Sequence, residues 1–88
     1  MKTWLITGVG KGLGRQLASQ LLEQGDRVVG TVRTQTDEEL FSALSADRAI
    51  PLKIDVTRFE EIPGKIAEIQ TRIGHIDILV NNAGFGLT

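Results

Sequence analysis

Cysteine and tyrosine do not occur in this sequence, and the two absences exclude different chemistry. Without cysteine there is no disulfide framework, no thiolate metal site and no thiol nucleophile. Without tyrosine there is no phenol hydroxyl to give or take a proton. A surplus of one charge is missing as well. Ten Lys and Arg stand against eleven Asp and Glu, a formal net charge of -1, and the cations are scattered. Neither nucleic acid nor an anionic membrane is therefore an expected partner. No apolar run is long enough for a signal-peptide core or a spanning helix, so a cytoplasmic protein is expected. What remains is ordinary for a soluble globular chain, 41% hydrophobic and 24% charged over 88 residues. That is enough for one domain, which on size scaling buries only somewhat more than about 60% of its unfolded surface.

Trp4 to Thr7 is short and apolar and ends at a glycine, as a buried first strand would. Leu13, Leu17 and Leu21 then recur every four residues, with Gly14 and Ala18 beside them, which predicts an amphipathic helix closed by Gly25. Val28 to Val32 reads as a second buried strand. Thr36 and Glu39 have capping-box spacing and predict a second helix whose apolar face is Leu40, Phe41 and Leu44. Ala49 to Val56 reads as a third strand, placed at a sheet edge by Pro51, which cannot donate to a ladder. Thr57 and Glu60 repeat the capping-box spacing. A third helix follows with Ile62, Ile66, Ile69 and Ile73 inward, Pro63 being tolerable only near its first turn. After Gly74, Ile76 to Val80 reads as a fourth strand.

The order β-α-β-α-β-α-β with short connections predicts an α/β fold with parallel strands, right-handed crossovers and helices on both faces. In a doubly wound dinucleotide-binding sheet the strand order is 3-2-1-4. Pro51's strand then lies at one edge. The other edge, Ile76 to Val80, is more apolar than an uncovered edge should be, so self-association or a covering element is expected there.

Thr7-Gly8-Val9-Gly10-Lys11-Gly12-Leu13-Gly14 lies between the first strand and the first helix. Glycines there let bare backbone N–H groups approach an anion, and the helix adds the positive end of its dipole. Gly8, Gly12 and Gly14 spell G-x-x-x-G-x-G. Two better-known signatures fail: G-x-G-x-x-G is broken by Leu13 and Arg15, and a P-loop by Gly12 after Lys11. By itself the loop is either a nucleotide site or a structural turn. Asp55-Val56-Thr57 and Asn81-Asn82-Ala83-Gly84 close the third and fourth strands, so the unusual polar and glycine positions gather at the carboxyl ends of parallel strands, where ligands bind in open α/β sheets.

In their order along the chain these three motifs resemble those of the short-chain dehydrogenase/reductase family, and the resemblance covers the whole chain. It implies the N-terminal, NAD(P)-binding part of a Rossmann-type oxidoreductase that interconverts carbonyl and alcohol groups. It also implies that Gly8, Val9, Gly10, Lys11, Gly12, Leu13 and Gly14 hold the pyrophosphate. Asp55 and Val56 would meet the adenine, and Asn82 the ribose region of the cofactor. Asp55 also reads as a solvated turn residue, and Asn81 and Asn82 as amides tying loops to the sheet.

Cofactor choice follows from the residues themselves. An NAD-selective site places Asp or Glu about 20 residues beyond the glycine loop. Val32 and Arg33 stand there. A guanidinium fork suits a 2′-phosphate, and Lys11 adds a second charge, so NADP is expected over NAD, in a pattern resembling NADP-preferring family members. His75, in the turn before the fourth strand, lies at the wrong end of the sheet for catalysis. Asp37-Glu38-Glu39 and Glu60-Glu61 read as acids favoured at helix N-termini, with no chemistry assigned.

The family's catalytic Ser and Tyr-x-x-x-Lys would follow the Asn-Asn-Ala-Gly motif. The chain stops four residues beyond Gly84 and has no tyrosine, and Ser19, Ser42 and Ser45 all precede the motif. No catalytic residue is therefore assigned, and no metal ligand. The expectation is a truncated cofactor-binding half, residues 1–88, of a homo-oligomeric enzyme. The alternative is a small non-catalytic dinucleotide-binding or regulatory module.

Overall fold

The computed structural model describes residues 1–54 and 58–82. The elements run β1 (Thr3–Ile6), α1 (Gly12–Glu23), β2 (Arg27–Val32), α2 (Gln35–Ser42), β3 (Ala49–Lys53), a 3₁₀ turn (Phe59–Glu61), α3 (Ile62–Ile73) and β4 (Ile78–Val80). The four strands form one parallel sheet in the order β3-β2-β1-β4, as the alternation of strands and helices predicts. Pro51 lies on the edge strand, opposite Gly30 in the register.

Successive strand residues face opposite ways, and this alternation builds two cores. Ile6, Val28 and Val32 look to one face, where Ala18, Leu21 and Leu22 of α1 and Phe41 of α2 cover them. Leu5, Val29 and Leu52 look to the other, where Ile69 of α3 is buried, with Ile62, Ile66 and Ile73 packed beside it. The isoleucine spacing in α3 is therefore its packing face. Pro63 occupies the first turn of that helix, where its missing N–H costs no ladder bond.

Four sequence expectations shift. Leu13 is 76% exposed, because in the first turn of α1 it is the neighbouring Gly14 that faces the β1 end; the buried positions are Gly14, Ala18, Leu21 and Leu22. The cap of α2 is Thr34, two residues before the expected Thr36, and its hydroxyl oxygen accepts from the Asp37 N–H at 3.1 Å. Of the expected apolar face of α2, only Phe41 is buried, while Leu40 and Leu44 remain exposed. Two strands are also shorter than the apolar runs suggested. β3 stops at Lys53 and β4 begins at Ile78. Thr57, of the second capping box, lies outside the described residues.

At the amino ends of the strands, polar side chains lash the sheet together. The Asp26 carboxylate accepts from the Lys2 N–H at 3.0 Å and the Trp4 indole N–H at 3.1 Å. Asp77 Oδ2 accepts from the Thr3 N–H at 2.8 Å. Arg27 donates to the Thr3 hydroxyl and the Ile73 carbonyl, and Arg48 to the carbonyls of Leu22 and Asp26. His75 sits at this same end, largely exposed, 3.4 Å from Asp77 Oδ1.

Candidate dinucleotide site at the first strand-helix turn

At the carboxyl ends of the strands the chain from Thr7 to Gly14 is fixed by the two strands on either side of β1. From β2, the Thr31 hydroxyl accepts from the Gly8 N–H at 2.8 Å and the Thr31 carbonyl from the Val9 N–H at 3.0 Å. From β4, the Val80 carbonyl accepts from the Thr7 N–H at 3.0 Å. The Thr7 hydroxyl accepts from the Asn82 N–H at 2.8 Å and donates to Asn81 Oδ1 at 3.3 Å. Asn82 Nδ2 donates to the Gly8 carbonyl at 3.1 Å. The loop thus bridges β2 and β4 across the end of β1, and the asparagines beyond β4 are ties of the kind their residue type allowed.

Each loop position has its own reason. Gly8 and Gly12 adopt positive φ, 77° and 68°, which L side chains rarely tolerate. Nothing lies within 4 Å of where a Gly12 side chain would begin, so that flank of the loop is open. A side chain on Gly14 would collide with the Gly8 carbonyl oxygen and with Asn82 Nδ2, so glycine there lets α1 come down against β1. Val9 turns inward and is fully buried in the core with Ile6 and Val28. It enters above Gly30, where any side chain on β2 would fill its place. With its N–H taken by Thr31 and its side chain in the core, Val9 anchors the loop from below.

Arg15 is a loop residue in all but position. Its Nε donates to the Val9 carbonyl at 3.1 Å and a terminal nitrogen to the Gly10 carbonyl at 2.8 Å. Those two carbonyl oxygens are thereby held by the guanidinium. The N–H groups of the first turn of α1, at Gly12, Leu13 and Gly14, have no partner within the helix and carry its positive dipole end. The open flank at Gly12 and these unsatisfied donors are what a pyrophosphate requires.

Lys11 is the N-cap of α1 and makes no side-chain capping bond. Arg33 directly follows β2. Both are exposed, and among the described residues neither has a hydrogen-bond or ion-pair partner. Asp55 and Val56 lie outside the described residues, as do Ala83 and Gly84. Among the described residues no cluster of His, Cys, Asp and Glu could hold a metal ion, and no helix is long and apolar enough to cross a membrane.

Three participants escaped the sequence reading. Thr31 is a hydroxyl residue in an apolar run, visible as a polar insertion in a strand. Arg15 left a sharper signal, a cation in the first turn of a helix where the dipole disfavours one. Asp37 had none, since an acid near a helix start is ordinary, yet its carboxylate packs against Gly10: a Cβ at Gly10 would meet Asp37 Oδ2 at 2.7 Å.

With this geometry in hand, comparison with known proteins is informative. A family model described as short chain dehydrogenase matches residues 2–88. The 3-oxoacyl-[acyl-carrier-protein] reductase FabG of Haemophilus influenzae is 40% identical over 83 residues, 94% of this chain and 34% of the relative. Among solved structures, a short-chain dehydrogenase from Streptomyces avermitilis superposes with a TM-score of 0.87 at 41% identity, covering 94% of this chain and 30% of that one. A betaketoacyl-[ACP] reductase (FabG) from Bacteroides thetaiotaomicron gives a TM-score of 0.83 at 30% identity, covering 96% of this chain and 43% of that one. The chain spans about a third of the length of the curated relatives it matches.

Proposed function

The chain belongs to the short-chain dehydrogenase family, and from that premise we propose that residues 1–88 are the NADP(H)-holding part of an oxidoreductase that interconverts carbonyl and alcohol groups. The observation that carries this reading is the turn from Gly8 to Gly14: its open flank and the unsatisfied N–H groups of α1 stand where β1 meets the helix dipole. Gly8, Gly10, Lys11, Gly12, Leu13 and Gly14 would line the pyrophosphate, through backbone rather than side chains. Val9, whose side chain is buried, would act as the anchor of that line.

Lys11, at the N-cap of α1, and Arg33, directly after β2, support the preference for the 2′-phosphorylated cofactor, since both are exposed cations with no partner among the described residues. Asn82 keeps one amide hydrogen and its carbonyl oxygen beyond the bond to Gly8, enough to meet a ribose hydroxyl. Asp55 and Val56 complete the reading on the adenine side. When bound, the cofactor supplies or accepts the hydride. The part of this chain is to bind and orient it, and no proton donor or substrate pocket is assigned to its residues.

Fluorescence titration of the purified chain with NADPH and NADH tests the reading. NADPH is expected to bind more tightly, and Arg33→Asp to weaken NADPH about tenfold or more, the size of one lost charge-assisted contact, without catalytic turnover by the chain alone. NADH binding at least as tightly as NADPH would overturn the cofactor assignment. Turnover would overturn the division of labour.

A further inference from the structure

The α2 helix begins one residue after Thr34, and its first turn brings Asp37 back onto the glycine loop. The carboxylate reaches Gly10 closely enough that any side chain at that position would strike Asp37 Oδ2, Cγ and Cβ. Gly10 is not among the positive-φ residues, and a side chain there would have to push the Asp37 carboxylate aside. The Asp37 backbone N–H serves the Thr34 cap, but its carboxylate has no hydrogen-bond or ion-pair partner among the described residues. It is half-buried, four residues beyond Arg33 in sequence and packed against Gly10, the residue before Lys11. Asp37 thus meets the loop at Gly10, next in sequence to Lys11, on the helix that follows Arg33, and among the described residues none of these three side chains has a hydrogen-bond or ion-pair partner.

We propose that Asp37 is a specificity-determining residue at the 2′ position of the adenosine ribose, accepting a hydrogen bond from a 2′-hydroxyl and opposing a 2′-phosphate, so that the site binds NADH as well as NADPH with a narrowed preference for the latter. The proposal rests on the cofactor reading above. A carboxylate is the acceptor that suits a vicinal ribose hydroxyl. Beside a phosphate dianion the same carboxylate is a like charge, which Arg33 and Lys11 offset. The usual position for such an acid, at the end of β2, is filled by Arg33. Asp37 reaches the loop from α2 instead, a route that spacing along the chain does not reveal.

The experiment is a paired titration, NADPH and NADH on the same preparation of the wild-type chain, Asp37→Asn, Asp37→Ala and Arg33→Ala. Because the ratio of the two dissociation constants is read on one sample, any inactive fraction cancels. Both cofactors carry the pyrophosphate, so the ratio isolates the 2′ position. Asp37→Asn is expected to tighten NADPH about three- to tenfold relative to NADH. Asp37→Ala is expected to do the same while also weakening NADH, as the hydroxyl loses its acceptor. If Arg33→Ala weakens NADPH but the ratio in both Asp37 variants stays at the wild-type value, the role of Asp37 is refuted and the cofactor reading stands. If the wild type binds neither cofactor, or Arg33→Ala leaves NADPH unchanged, the cofactor reading falls and Asp37's role with it.

Discussion

Asp26 lies far from the loop, yet it shows how one side chain can tie strand, turn and pH together. Hydrogen bonds first from the Lys2 N–H and then from the Trp4 indole favour its charged form and hold its carboxyl below the ordinary value of 3.8. A carboxyl whose folded value is depressed stabilises the fold above its unfolded value and loses that contribution as the pH falls through the folded one. Asp26→Asn is therefore expected to lower the urea midpoint at neutral pH. The gap between variant and wild type should close as the pH drops below about 3.8. A gap of constant size down to the acid transition would show that the carboxylate charge is not the source. Arg15 belongs to the same scale. It spends a cation at a helix start to hold two loop carbonyls, and the sequence carried that sign as a breach of the dipole preference. Asp37 obeyed every local preference, so only the folded loop reveals its contact.

At the scale of elements, α2 is the most thinly anchored. Leu40 and Leu44 remain exposed and Phe41 is its one fully buried side chain, set among Val32, Ala49 and the α1 core. Phe41→Ala is expected to cost about 3–5 kcal/mol, in a chain whose whole stability is on the order of 5–10 kcal/mol. Denaturant unfolding checks this, and a loss under about 1 kcal/mol would mean that α2 is held by its cap and turns instead. The displaced start of α2 has a plain cause. Thr34 and Thr36 both satisfy a capping pattern on paper, and the Thr34 hydroxyl wins because it directly follows the end of β2 and Arg33, whereas Thr36 already lies in the helical turn. Strand ends were illegible for a different reason. An apolar residue such as Ile76 or Ile54 packs against the core whether or not its backbone joins a ladder, so hydrophobicity overruns pairing.

For the molecule as a whole, the sheet order was legible because parallel strands joined by short helical crossovers admit few arrangements. The site was legible in its glycines and asparagines but not in Thr31 or Asp37, which act through three-dimensional proximity. Among the described residues β4 pairs only with β1, and Leu79, facing the α3 side beside Leu5, is 62% exposed. An apolar strand with one free edge is a template for pairing. Self-association of the 88-residue chain is expected in sedimentation velocity at micromolar concentrations, and Leu79→Lys is expected to shift it towards monomer. A monodisperse wild-type monomer would show that this edge is harmless.

Val9 gives the site a property that its hydrogen bonds alone do not convey. With its side chain sunk into the core above Gly30 and its N–H bonded to β2, the loop cannot lift without opening a hole beneath the sheet. The conformational entropy of the turn is thus lost when the chain folds, not when a ligand arrives. For the proposed cofactor this part of the loop is formed in advance, and whatever unfolds the core around Val9 is expected to abolish the candidate site in the same event.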